Sequence, residues 1–172
     1  MIAKAFSNEY FQELLVIRKR NILFFNGCFD IIHPGHIHLI NQIKKYGRDT
    51  YSGNGFILVC GINSDESVKK QNKSHPLINN ENERAYFLEK LGVDSVFIFD
   101  DEMPTSLIMS LMPNKIFKGW EYAEKDFHEK EFCNIAGIDI RYVDNIKGFS
   151  TTNIYNKIYD VAKEDIAKKI MG

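Results

Sequence analysis

Short apolar runs rich in β-branched and aromatic residues alternate with stretches of helical period along the chain, and this alternation constrains the fold more than any other feature. A strand, a helix and a further strand in succession make a βαβ unit, which requires a parallel sheet covered by helices. Five runs read as strands: 22–25, 56–62, 95–99, 115–117 and 138–143. The second is continuously apolar from Phe56 to Cys60, as a strand buried on both faces should be. An α/β sandwich with a five-stranded parallel sheet follows.

Helix starts lie between these runs. Asn80 with Glu83 three residues on predicts a capping box, and Pro104 marks the first position of a helix. Ser150 opens the last helix, whose Ile154, Ile158 and Val161 fall on one stripe expected to face the sheet, with Lys157 and Asp160 toward water. A helix over 7–20 precedes the first strand, another covers 37–45, and the polar stretch 48–55 reads as a helix-to-strand loop. The 172 residues suit a single domain, 1–172, large enough to bury roughly 70% of the surface of the extended chain.

Twenty-two Lys and Arg balance 23 Asp and Glu, so no global field holds nucleic acid or an anionic membrane, and any phosphate binding must be local. No apolar run approaches the ~18 residues of a membrane span, and Glu9 and Glu13 interrupt what a signal peptide would need, so a cytoplasmic protein is expected. Cys28, Cys60 and Cys133 form no Cys-x-x-Cys pair and read as reduced thiols.

Ligands of open parallel sheets sit beyond the carboxyl ends of the strands. The first strand runs into Asn26-Gly27-Cys28-Phe29-Asp30-Ile31-Ile32-His33-Pro34-Gly35-His36, and a helix follows at once. His33 and His36, three apart, can share one face of the first helical turn beside backbone N–H groups that lack partners. Gly35 lets a phosphate approach the backbone, and two imidazole donors would complete a polyphosphate cradle. The same spacing suits surface histidines at a helix cap or a zinc pair, although Asp30 is the one nearby carboxylate and no thiolate pair accompanies it.

The stretch His33 to His36, preceded by Gly27, Phe29 and Asp30, resembles the His-x-Gly-His signature of the cytidylyltransferase-like nucleotidylyltransferases. Gly148-Phe149-Ser150-Thr151-Thr152 is similar to their second signature, at the start of the last helix. Hydroxyls and free N–H groups there suit phosphate oxygens on physical grounds as well. The resemblance implies a Rossmann-like three-layer sandwich over a core of 21–159, with 1–20 an added helix and 160–172 the end of the last one. It also implies transfer of a nucleoside monophosphate from a triphosphate to a phosphorylated acceptor, with release of pyrophosphate, Mg²⁺ bound through the phosphates, and a homodimer; the apolar content of the opening helix (Tyr10, Phe11, Leu14, Leu15) fits either a dimer contact or packing on its own sheet.

Within the superfamily the match is nearest to the adenylyltransferases that make ADP-heptose from D-glycero-β-D-manno-heptose 1-phosphate. It is carried by residues 26 to 30, Asn63-Ser64-Asp65, Lys118-Gly119 with Tyr122, and residues 150 to 154. Departures are Trp120 and Glu121 where those enzymes have Gly-Asp, and His75 before Pro76 where they tend to have arginine. Glycerol 3-phosphate cytidylyltransferases are the alternative, with CTP and a polyol or amino-alcohol phosphate; Asn145-Ile146-Lys147 replace their Arg-Thr-Glu. A non-catalytic nucleotide-binding module is the third reading.

By resemblance His33 and His36 are catalytic, and Lys118 is placed with them as a cation at the phosphates, a solvated surface lysine being the other reading; for Arg84 the other reading is a helix-surface ion pair with a neighbour such as Glu81. Asn26, Gly27, Cys28, Phe29, Asp30, Gly35, Arg84, Gly119, Ser150, Thr151 and Thr152 bind the nucleotide. Asn63, Asp65, Lys44, Trp120 and Tyr122 bind the acceptor, with Lys45 also placed in the site. Lys69, Lys70 and Lys73 form a basic patch that is either solvated or closes over phosphates. Asp30 orients a metal or a histidine, or makes an Asx-type turn. No side-chain metal site is expected.

Overall fold

Strands β1 (Ile2–Lys4), β2 (Asn21–Gly27), β3 (Phe56–Asn63), β4 (Ser95–Phe99), β5 (Lys115–Gly119) and β6 (Asp139–Val143) form one sheet. Their order is β1-β4-β3-β2-β5-β6, and every neighbouring pair is parallel. The structure, a computed structural model, describes residues 1–52, 55–71, 75–124, 127 and 129–171. Lys73 of the expected basic patch lies outside the described residues.

The sheet has six strands where the sequence predicts five. The added one, β1, is three residues long and pairs Ile2 with Val96 and Lys4 with Ile98. So short a strand carries no readable periodicity, and its partner creates it.

Helices α1 (Asn8–Ile17), α2 (Pro34–Thr50), α3 (Asp65–Lys70), α4 (Glu81–Lys90), α5 (Thr105–Leu111), α6 (Glu129–Ala136) and α7 (Thr151–Met171) complete the chain. Alternate side chains of β2 point to opposite faces. Ile22 and Phe24 join Tyr10, Leu14 and Ile17 of α1 and Leu107, Ile108 and Leu111 of α5, while Leu23 and Phe25 join Ile40 and Ile43 of α2 and Ala85 and Leu88 of α4. Two apolar cores on one sheet make the expected Rossmann-like three-layer sandwich.

The capping box of α4 is present: the Asn80 side chain accepts from the Asn82 and Glu83 amides, and the Glu83 carboxylate accepts from the Asn80 amide at 2.8 Å. Other boundaries differ from expectation. Ser7 caps α1, which stops at Ile17, and Pro104 stands just before α5. Helix α2 starts at Pro34 and runs to Thr50, taking in the first part of the stretch read as a loop, because the Tyr51 amide still reaches Gly47 O at 2.9 Å.

The stripe on the last helix does not face the sheet. Ile158 and Val161 of α7 are 56% and 61% exposed, and the first turns of α7 meet the body, where Tyr155 Oη bonds Asp30 and the Pro76 carbonyl. Periodicity reports an apolar face and not what covers it. The opening helix divides likewise: Tyr10 and Leu14 are buried against the sheet, whereas Phe11 and Leu15 are exposed.

From β2 the chain builds outward through β3 to β4, then returns to the other side of β2 for β5 and β6. The reversal lies between β2 and β5, and a crevice opens beyond their carboxyl ends.

Candidate active site

Strand β2 ends at Asn26 and Gly27, and the chain turns through Phe29, whose φ of 54° is in the left-handed region. A non-glycine residue there costs on the order of 1–2 kcal/mol, held by surrounding packing. The Phe29 ring packs on Phe25 (5.6 Å between centroids) and on His36 (4.9 Å). It also lies so close over Gly27 that a Cβ there would meet Phe29 Cε2 at 2.9 Å.

Pro34 at the first position of α2 makes His33 the N-cap residue, in extended conformation with no side-chain cap bond. The His33 ring is thereby free to stack on His36, one helical turn on, at 3.7 Å between centroids and 23° between planes. Both Nδ1 atoms are buried without a hydrogen-bond partner. Leaving a buried polar atom unpaired costs about 1–3 kcal/mol, which an incoming acceptor or donor can recover. Burial holds His33 below the usual histidine range, and burial together with the neighbouring His33 pushes His36 down to about 3. At neutral pH the pair is uncharged, each ring carrying one N–H.

Lys118, near the end of β5, is 7% exposed. Its Nζ donates to Asn26 Oδ1 at 2.8 Å and lies 5.5 Å and 5.2 Å from the ring centroids of Tyr122 and Phe127. Burial lowers its pKa from the ordinary lysine value, against the opposing pull of Glu129 and Cys133. At the mouth of the last helix Ser150 Oγ accepts from the Asn153 amide at 3.1 Å, after a left-handed Gly148 (φ 86°).

These pieces meet in one cleft of about 720 Å³. Asn26, Gly27, Lys118 and Gly119 come from the ends of β2 and β5, His33, Gly35 and His36 from the start of α2, and Phe149 and Ser150 from the start of α7. Gly35 joins the two helix starts: a methyl group on it would stand 3.0 Å from Cε1 and 3.1 Å from Nδ1 of His33, and 3.8 Å from Phe149 O. The two signature stretches, more than a hundred residues apart in sequence, therefore share one wall. Asn63, Glu102, Met103 and Pro104 line the cleft as well.

Cys28, Phe29 and Tyr122 also line the cleft. Other expected site residues do not. Arg84 is fully buried, neither a ligand-facing group nor a surface ion pair: its guanidinium donates to Cys28 O (2.7 Å), Asn63 O (2.8 Å) and Asp65 Oδ1 (2.7 Å). It ties the ends of β2 and β3 to α3 from beneath, and Asp65 is spent in the same contact. The Asn63 side chain borders the cleft, but its amide donates to Ser67 Oγ at 3.0 Å and holds the segment after β4.

Lys44, ten residues into α2, donates to Leu91 O at 2.7 Å and lies outside the cleft lining. Lys45 borders a separate groove between α2 and β6. Trp120 is 57% exposed, edge-on to Tyr142 and outside the cleft lining, since the short 3₁₀ turn Trp120–Tyr122 directs Glu121 and Tyr122 inward instead. Thr151 and Thr152 lie past the wall that Ser150 forms. Lys69 pairs with Glu66 at 2.7 Å on the surface of α3.

Asp30 is 3% exposed; its carboxylate accepts from the Ile78 and Asn79 amides at 3.0 and 2.8 Å and from Tyr155 Oη at 3.2 Å. It pins the segment before α4 to α7, and its lone pairs are not available to a metal. Among the described residues no three His, Cys, Asp or Glu side chains come together as metal ligands. The described side chains do not fit a protein-held Mg²⁺.

Sequence reasoning missed Glu129, Glu121 and Asn145. Glu129 is 2% exposed on the cleft wall, and Glu121 accepts a hydrogen bond from the Asn145 amide across the cleft mouth. Glu121 and Asn145 follow strand ends, where ligand-facing residues are expected. Nothing separates Glu129 from the charged residues around it.

No helix among the described residues is long and apolar enough to cross a membrane. The profile of the cytidylyltransferase-like family matches residues 24–165. Bifunctional protein HldE of Campylobacter concisus is 35% identical over 161 residues, 92% of this chain and 32% of that protein. HldE of Campylobacter fetus subsp. fetus is 39% identical over 140 residues, 81% of this chain and 28% of that protein. The chain thus spans about a third of the length of these curated relatives. Among solved structures, the lipopolysaccharide core biosynthesis protein from Thermoplasma volcanium superposes with a TM-score of 0.55 and 26% identity, over 75% of this chain and 98% of that one.

Proposed function

The chain belongs to the cytidylyltransferase-like family of nucleotidyltransferases, and from that membership we propose that it transfers AMP from ATP to a sugar phosphate. The proposed acceptor is D-glycero-D-manno-heptose 1-phosphate, and the products are ADP-heptose and pyrophosphate. The observation that carries the reading is the stacked His33–His36 pair at the sheet's reversal point, in one cleft with Lys118 and Ser150.

The acceptor phosphate is already a nucleophile near neutral pH, so no side-chain base is needed. One of its oxygens bonds to the α-phosphorus in line with the departing oxygen, the α–β phosphoanhydride bond breaks, and pyrophosphate leaves with that electron pair. The protein aligns these groups and stabilises the growing charge. Neutral His33 and His36 donate N–H groups to the triphosphate, Lys118 brings a positive charge to the transferred phosphoryl group, and Ser150 holds a terminal phosphate oxygen. Asn26, accepting from Lys118 Nζ, aims that ammonium. Mg²⁺, if bound through the phosphates, would supply neutralisation of their charge.

Pyrophosphate release tests the reading directly: ATP, CTP, GTP and UTP are each offered with heptose 1-phosphate, glycerol 3-phosphate and ethanolamine phosphate. Turnover with ATP and the heptose phosphate is expected. Turnover with CTP and a polyol phosphate would move the assignment to cytidylyl transfer, and thermal stabilisation by nucleotide without pyrophosphate in any pairing would make the protein a binding module.

A further inference from the structure

Among the described residues five carboxylate, ammonium or guanidinium side chains are buried: Asp30, Arg84, Lys115, Lys118 and Glu129. A buried charge without compensation is costly, so each needs a partner. Asp30 accepts from two backbone amides, Arg84 pairs with Asp65, and Lys115 pairs with Asp139. Lys118 and Glu129 remain. They line the same cleft, and among the described residues neither belongs to an ion pair.

Glu129 is the harder of the two to explain, because a carboxylate in a cleft for polyphosphate loses hydration and also repels the ligand. We propose that Glu129 is a positioning residue that keeps the Lys118 ammonium charged and turned into the cleft; this rests on the reading of Lys118 given above. The geometry supports it. Phe127, two residues before Glu129, lies under Lys118 Nζ, and Cys133 follows Glu129 by one turn of α6. The carboxylate compensates the ammonium through its charge and not through a hydrogen bond, so the N–H groups not used on Asn26 stay free for phosphate oxygens.

Burial alone favours a neutral amine at Lys118, and Glu129 is the first opposing charge. The titratable groups that line the cleft with Lys118 are Glu129 of α6, Tyr122 and Glu121 after β5, Cys28 after β2, His33 and His36 of α2, Glu102 after β4 and Asp144 after β6, and Cys133 of α6 also acts on the ammonium. Of the carboxylates among them, only Glu129 is buried.

The test compares wild type, Glu129→Gln and Glu129→Asp by pyrophosphate release from pH 6.5 to 9.5, with melting curves to verify folding. Glu129→Gln should lose less than about threefold at pH 6.5 and about tenfold or more at pH 9.5, as its Lys118 deprotonates earlier, while Glu129→Asp keeps the wild-type profile shape. In parallel, ¹³Cε-lysine NMR of the free protein, assigned with Lys118→Met, should show Lys118 titrating at lower pH in Glu129→Gln. A pH-independent loss, or an unmoved Lys118 resonance, would overturn the proposal. Should wild type release no pyrophosphate in any pairing, the transferase reading fails, and the NMR titration still decides what Glu129 does to Lys118.

Discussion

His33 and His36 face each other at 3.7 Å, and each keeps a buried Nδ1 with no hydrogen-bond partner. Two imidazolium ions so close would repel strongly, so the stack is a neutral pair in which each ring carries one N–H. The unfolded chain takes up a proton at His36 as pH falls through about 6.5, whereas the folded protein does so only near 3. Stability from this residue is therefore complete above about pH 6.5 and is lost progressively below it. Melting temperatures from pH 7.5 to 4.5 should fall more steeply for wild type than for His36→Asn; parallel curves would show that another group sets the acid response.

In turnover, His36→Ala should lower kcat by about a hundredfold, the usual effect of losing one donor to developing charge. A loss below about threefold in a folded variant would remove His36 from the chemistry.

Gly35→Ala separates helix stability from phosphate binding. Alanine is the better helix former, yet its Cβ would meet the His33 ring at 3.0–3.1 Å and push it from the stack. The expected outcome is a Tm within a few degrees of wild type, with ATP binding weakened about tenfold in calorimetry. Unchanged affinity would mean that the ring accommodates the methyl group.

Arg84→Ala tests the opposite kind of residue. Removing this buried guanidinium strands Cys28 O, Asn63 O and the Asp65 carboxylate, and breaking such a contact costs about 3–5 kcal/mol. Denaturant unfolding should show that loss. Ligand affinity in the fraction still folded should change little; were stability kept and affinity lost, Arg84 would be a ligand contact after all.

Chelation offers a further check. EDTA should abolish pyrophosphate release while leaving the Tm of the free protein unchanged, because Asp30 is occupied by backbone amides and no side-chain cluster holds an ion among the described residues. A fall in Tm on chelation would reveal a protein-held metal.

Much of this site is legible along the chain because its central pieces are local. The Pro34-Gly35-His36 start of α2 is written in consecutive residues, and the alternation of apolar runs with helices already demands a parallel sheet with its ligand beyond the strand ends. The Asn80 box is equally local and was found where expected. Lys44, Trp120 and Arg84 show the limit: the sequence places each in the site, but a run of helix, a short 3₁₀ turn or buried hydrogen bonds carry it elsewhere.

Sequence by itself determined the layered α/β class, which follows from the alternation of apolar runs with helices, and the pair of imidazoles, which follows from spacing within one element. Only the tertiary structure decided that β1 completes the sheet, that Phe149 comes up to Gly35, and that Glu129 shares a cleft with Lys118. Those relations join residues far apart in the chain, and their energies come from exclusion of water and from opposed charges brought together by packing. No local pattern of residues encodes such a distance.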